Sequence, residues 1–136
     1  MKKISVEEMF KLAPGDPRAY YLVGMKEFVV EDDGTVSCSV EVVHNMLNGL
    51  DTCQGGLLYT ICDATCGAFL REAGTPSVTV NGSMNYYKSA VLGDVITVTV
   101  QPRRMGRSLN RLLAEVHNQN GDHLCDAWFT FMAAKR

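Results

Sequence analysis

The chain carries little net charge. Thirteen Lys and Arg against 15 Asp and Glu leave a formal −2, which argues against general nucleic-acid binding by the whole domain. It lacks an apolar run long enough to cross a bilayer. Its first residues show no charged, apolar, small-residue export pattern. It also lacks a Cys-x-x-Cys pair: the five cysteines stand at 38, 53, 62, 66 and 125. An odd count without an export signal points to free thiols in a reducing compartment rather than to a disulfide framework. Nothing repeats, and no segment is of low complexity. The expectation is one soluble, cytoplasmic domain over residues 1–136, without membrane or nucleic-acid partners and long enough to bury its own core.

What is present is arranged around Gln54–Gly74. Leu57, Leu58, Ile61, Cys62, Ala68 and Phe69, with Thr65 between them, follow the three-and-four spacing of a helix. Few polar residues interrupt it, so the spacing predicts a helix over about 55–73 that is enclosed by other structure. Gly74 and Pro76 supply the stop. Gly55 and Gly56 leave the first amides bare at the positive end of the helix dipole. Asp63 places a carboxylate inside this apolar sequence.

Ahead of that helix, Val6–Leu12 reads as a short helix capped by Ser5, with Glu8 completing a capping box. Tyr20–Val30 reads as a strand weakened by Gly24, and Asp32-Asp33-Gly34 as a hairpin turn. In Thr35–Val43, Val36, Cys38, Val40 and Val42 alternate with polar residues, predicting one buried face. His44–Cys53 reads as a loop. Four strands follow: Ser77–Tyr87 with a bulge or close backbone approach at Gly82, Val95–Gln101, Leu109–Val116 and Leu124–Met132. Pro102–Ser108 reads as a basic turn. The fold class is α+β: an antiparallel sheet wrapped around one long central helix, with a short N-terminal helix.

The string Asn48-Gly49-Leu50-Asp51-Thr52-Cys53-Gln54-Gly55-Gly56, followed by Asp63, resembles the hotdog-fold acyl-CoA thioesterases of the phenylacetic-acid-degradation (PaaI-like) type. Their pattern is an Asn, a His-Gly-Gly six residues later, and an Asp nine residues after that His. Here Gln54 stands in place of the histidine. Ser77–Asn81, Asn85–Ala90 and Leu92-Gly93-Asp94 are similar to further family segments, so the resemblance covers nearly all of the chain from Tyr20 on.

The resemblance implies hydrolysis of an acyl-CoA thioester to free acid and coenzyme A. Thioester hydrolysis needs a nucleophile or general base and a donor for the developing oxyanion. Asp63 is the candidate for the first and the Gly55 N–H for the second. The family adds Asn48 and Thr79 as groups holding the water or the carboxylate, and Gln54 has an amide to orient the carbonyl or brace its loop. Left to composition, Asp63 would find neighbouring hydroxyls such as Thr60.

Arg103, Arg104 and Arg107, with Gly106 and Ser108, form a cluster suited to phosphates. The resemblance puts it, and more weakly Lys88, against coenzyme A. It also implies a homodimer or homotetramer with sites at subunit interfaces, Gln54 and Gly55 of one chain facing Asp63 of the other. No metal and no resident cofactor are expected: Cys62 and Cys66 share a helix face without further ligands, and His44, His117 and His123 lie far off in sequence. Because Gln54 cannot titrate, a non-catalytic acyl-CoA-binding protein is the alternative.

Overall fold

The computed structural model describes residues 1–21 and 24–134. One seven-stranded antiparallel sheet curls around one long helix. In chain order the elements are β1 (Lys2–Ser5), α1 (Val6–Phe10), a 3-10 turn (Pro17–Tyr21), β2 (Glu27–Val30), β3 (Val36–Glu41) and a second 3-10 turn (His44–Met46). Then come α2 (Gly55–Glu72), β4 (Ser77–Tyr86), β5 (Val95–Met105), β6 (Leu109–His117) and β7 (His123–Ala133). The sheet order is β1-β2-β3-β5-β6-β7-β4, so β1 and β4 are its edges. This is the hotdog layout.

The enclosed helix forms as the spacing predicts. Leu58, Ile61, Cys62, Cys66, Ala68 and Leu70 are buried against the concave face of the sheet. Thr65, buried among them, donates its hydroxyl to Ile61 O at 2.7 Å, so its own polar group is satisfied. At the C-terminal end Gly74 adopts φ +80°. Its N–H donates to Arg71 O at 3.0 Å, and that of Thr75 to Leu70 O at 2.8 Å, which is the Schellman pairing that only a left-handed residue permits cheaply. Val36, Cys38, Val40 and Val42 are all buried, as their alternation requires. Ser5 caps α1 by accepting from Glu8 N at 3.1 Å.

Three boundaries differ from the sequence reading. The strand expected over Tyr20–Val30 begins only at Glu27. Pro17–Tyr21 is a 3-10 turn in which Asp16 accepts from Arg18 N at 2.9 Å, and Leu22 and Val23 lie outside the described residues. The basic turn expected over Pro102–Ser108 is mostly strand: β5 runs to Met105, with a register slip between Pro102 and Arg104. That slip lets a proline sit in the ladder. Finally β1, which has no apolar alternation, pairs with β2.

Gly82 is a close approach, and the register shift of β4 lies before it, between Thr79 and Asn81. A Cβ at Gly82 would sit 2.6 Å from Phe129 Cε1 and against the Tyr59 hydroxyl. Those two rings pack edge-on with centroids 5.1 Å apart, so the methyl has nowhere to go. Gly82→Ala is therefore expected to lower stability by about 1–3 kcal/mol, read as a lower urea midpoint. An unchanged midpoint would contradict this packing.

Candidate active site

Two clefts open on opposite sides of α2. The first, of about 380 Å³, is lined by Asp63, Gly67 and Arg71 of the helix and by Ser77, Thr79 and Phe131 of the sheet. Helical spacing explains the first three, since residues four apart share a face. Asp63 is half-buried, and Thr79 donates its hydroxyl to Asp63 Oδ1 at 2.6 Å. Burial pushes the Asp63 carboxyl above its usual value, and the Thr79 hydrogen bond pulls it back in part. Thr60, the partner that composition offered, instead donates to Gly56 O at 3.0 Å. Thr79 was reachable only through the family pattern; a threonine on a strand carries no signal of its own.

The second cleft, of about 280 Å³, lies at the N-terminal end of α2 and is lined by Cys53, Gly55, Leu58, Tyr86, Tyr87 and Lys88, among others. Tyr86 donates its hydroxyl to Gly55 O at 2.6 Å. Among the described residues no acceptor meets the Gly55 or Gly56 N–H, as expected for the first turn of a helix. Gln54 is exposed, makes no side-chain cap and donates its own N–H to Met46 O at 2.8 Å. Asn48 is committed to its loop: its Oδ1 accepts from Leu50 N at 2.9 Å and Thr52 N at 3.2 Å, and its Nδ2 donates to Thr52 Oγ1 at 2.9 Å. It shapes the approach to Gly55 and within this chain does not reach Asp63.

The expected coenzyme A residues fall at two ends of the molecule. Lys88 lines the second cleft and pairs with Asp122 at 2.6 Å. Arg103 and Arg104 lie on the exposed end of β5, and Arg103 donates to Gln101 Oε1 at 2.9 Å. Arg107 and Ser108 follow in the turn proper, where Ser108 O accepts from Ala133 N at 2.8 Å. Ala134 lines the first cleft, so this turn stands at the Asp63 end. Gly106 meets a steric need: its Cβ would press on the Leu109 carbonyl, to which its own N–H donates at 3.0 Å.

Sequence reading missed Arg71 in the first cleft and the Tyr86 bond to Gly55. It also missed the meeting of His117 and His123 with Glu115. Arg71 follows Asp63 by two helical turns and was legible from that spacing. The other two needed cross-strand register.

All five cysteines are buried and unpaired. Burial pushes the thiols of Cys38 and Cys125 up to about 12 and raises that of Cys53. A Cys53 nucleophile is thus disfavoured, since the thiolate is the reactive form.

A helix cupped by an antiparallel sheet is the hotdog fold, and here a hydroxyl-held carboxylate lies beside an open sheet edge. The thioesterase superfamily model matches residues 50–125; the chain belongs to that family. Escherichia coli acyl-coenzyme A thioesterase PaaI is 26% identical over 93 residues, 68% of this chain and 66% of that protein, a little under two thirds of its length. A Streptococcus mutans protein solved bound to acetyl-CoA is 30% identical, with a TM-score of 0.76 over 80% of this chain and 88% of that one. A hypothetical thioesterase from Streptococcus pneumoniae, solved with coenzyme A, is 31% identical, with a TM-score of 0.76 over 80% of this chain and 85% of that one. It was also solved as an Asp→Ala and a Thr→Ala mutant.

Proposed function

We propose that the protein hydrolyses acyl-CoA thioesters at sites completed across a subunit interface, with Asp63 as the reacting carboxylate and the Gly55 N–H as the oxyanion donor. One observation carries the reading: Thr79 holds Asp63 in a cleft beside the open β4 edge, while Gly55 faces a different cleft of the same chain. Eight residues of helix separate the two by about 12 Å, too far to act on one carbonyl. Strand β4 supplies the remedy. It is a sheet edge that exposes Val78 at 54%, Val80 at 56% and Tyr86 at 51%, and such an edge invites pairing with a second copy. Antiparallel pairing of β4 with its mate sets the Thr79 end of one chain beside the Tyr86 end of the other. Asp63 then faces Gly55 of the partner subunit.

In the chemistry the Asp63 carboxylate takes a proton from water, whose oxygen bonds to the thioester carbon; alternatively the carboxylate attacks that carbon itself and water cleaves the resulting anhydride. In both routes the carbonyl oxygen gains charge against the Gly55 amide, the C–S bond breaks, and coenzyme A leaves as thiolate, which then takes up a proton. Gln54 orients the carbonyl, Asn48 holds the loop that presents Gly55, and Lys88 and the Arg103–Ser108 segment meet the phosphates. The aspartate and threonine replaced in the Streptococcus pneumoniae structures stand sixteen residues apart, the separation of Asp63 and Thr79 here, which supports the pairing of those two roles. Acetyl-CoA and coenzyme A in the two streptococcal structures support the substrate class.

Thiol release from a panel of acyl-CoAs tests the reading; the protein's own buried thiols stay silent in that assay. The parent is expected to turn over at least one of them. Gln54→His is expected to change kcat by less than about tenfold, because a backbone donor and a carboxylate suffice without a titrating side chain. Tight acyl-CoA binding with no thiol released, and turnover appearing only in Gln54→His, would instead make the protein a binder.

A further inference from the structure

On the outer face of the sheet, strands β6 and β7 bring Glu115, His117 and His123 together, with one ligand atom from each lying within 4.8 Å of the others; Tyr87, which also lines the second cleft, packs against His123 with ring centroids 5.3 Å apart. We propose that these three side chains, Glu115, His117 and His123, bind a divalent transition ion of the zinc class and clamp the turn end of the β6–β7 hairpin.

Register builds the group. Glu115 and His117 are two apart on β6 and share a face, and His117 is paired directly with His123. A register shift between Val116 and His117 brings His123 to that same face. The two rings stack with centroids 4.8 Å apart and planes 17° from parallel; imidazole lone pairs lie in the ring plane, so binding one ion requires the rings to turn out of this stack toward each other. His117 and Glu115 are half-buried and His123 is exposed, so an ion has a path in.

A second feature separates this group from an ordinary surface cluster. His123 Nε2 lies 2.6 Å from Asp126 Oδ1, and Tyr87 donates its hydroxyl to Asp126 Oδ2 at 2.9 Å. A carboxylate behind a histidine fixes its tautomer and ring orientation, the usual outer-shell support of a metal ligand. With Nε2 turned to Asp126, the Nδ1 lone pair is left for the ion. Two imidazoles and a carboxylate suit zinc, with water in the fourth position. Bonds of about 2.0–2.1 Å place tetrahedral donors about 3.3 Å apart, so the three side chains need to close by about 1.5 Å at most. The hairpin they would bridge is a five-residue turn, Asn118–Asp122, already organised by Asn118 Oδ1 accepting from Asn120 N and Asp122 N, each at 3.0 Å. The ion has little chain left to order.

Calorimetric titration of Zn²⁺ into the full-length parent, His117→Gln, His123→Gln and Asp126→Asn tests this, each variant first shown to be folded by circular dichroism. The expected result is one Zn²⁺ per parent chain. Affinity falls at least about tenfold in each histidine variant and about tenfold in Asp126→Asn, the size of an outer-shell loss. Zn²⁺ then raises the melting temperature of the parent but not of His117→Gln. No binding to the parent, or binding unchanged in both histidine variants, overturns the proposal. So does a thiolate charge-transfer band in the Co²⁺-loaded protein, which would put the ion on cysteines.

Discussion

Asp63→Asn is expected to lower kcat for acyl-CoA hydrolysis at least about 10³-fold while leaving the melting temperature unchanged or raised. The amide keeps the shape of the carboxyl and its hydrogen bond from Thr79, but it neither takes a proton nor attacks a carbonyl. The stability half follows from the sign of the pKa shift. Burial raises the folded-state pKa of Asp63 above the unfolded value near 3.8. The native state therefore binds this proton more tightly, and the group contributes stability at low pH that is lost as pH rises through the folded pKa. At neutral pH the ionised, partly buried carboxylate is a destabilising feature, and asparagine relieves it. The same shift sets the acid limb of kcat/KM above the ordinary aspartate range, with activity rising as Asp63 ionises. A melting temperature that drops on substitution, together with retained turnover, would mean that the carboxylate is structural.

Gly55→Pro is expected to reduce kcat by about 10²–10³-fold, the usual cost of losing one oxyanion donor, with α2 intact. Proline is tolerated at the first helical position, where the N–H has no intrahelical partner. Gln54, with ψ 128°, already has the extended backbone that a following proline demands. The one crowded contact is with Tyr86: a Cβ at Gly55 would lie 3.1 Å from its Cζ and hydroxyl. Tyr86→Phe beside Gly55→Pro separates the two effects, because phenylalanine removes the hydroxyl and leaves the Gly55 N–H in place. Turnover that survives in Gly55→Pro and falls in Tyr86→Phe would transfer the role to the tyrosine.

Most of the fold was legible because its signals are local. The enclosed helix, its glycine stop and the buried face Val36–Cys38–Val40–Val42 follow from periods that a short window contains. The strand expected at Tyr20 failed for a local reason too, because Asp16 and Pro17 build a turn that outweighs β-propensity downstream. The basic segment was misread because a proline and three arginines look like a loop, whereas a register slip carries them in a strand. The candidate site divides the same way. Asp63 and Gly55 stand out as a carboxylate and bare amides on an apolar helix, and Thr79 came with the family resemblance. The Tyr86 bond to Gly55 and the Glu115–His117–His123 group depend on which strands become neighbours and where β4 and β6 slip by a residue. Spacing along one chain does not encode that.

Mixing two dead variants tests the interface site most directly. Asp63→Asn and Gly55→Pro are each expected to be inactive, and equal amounts are unfolded together and refolded. If Asp63 of one chain works with Gly55 of the partner subunit, half of the dimers are mixed and each holds one whole site of two, restoring about a quarter of parent activity. A mixture no more active than its two components would place both groups in the same subunit's site and contradict the account.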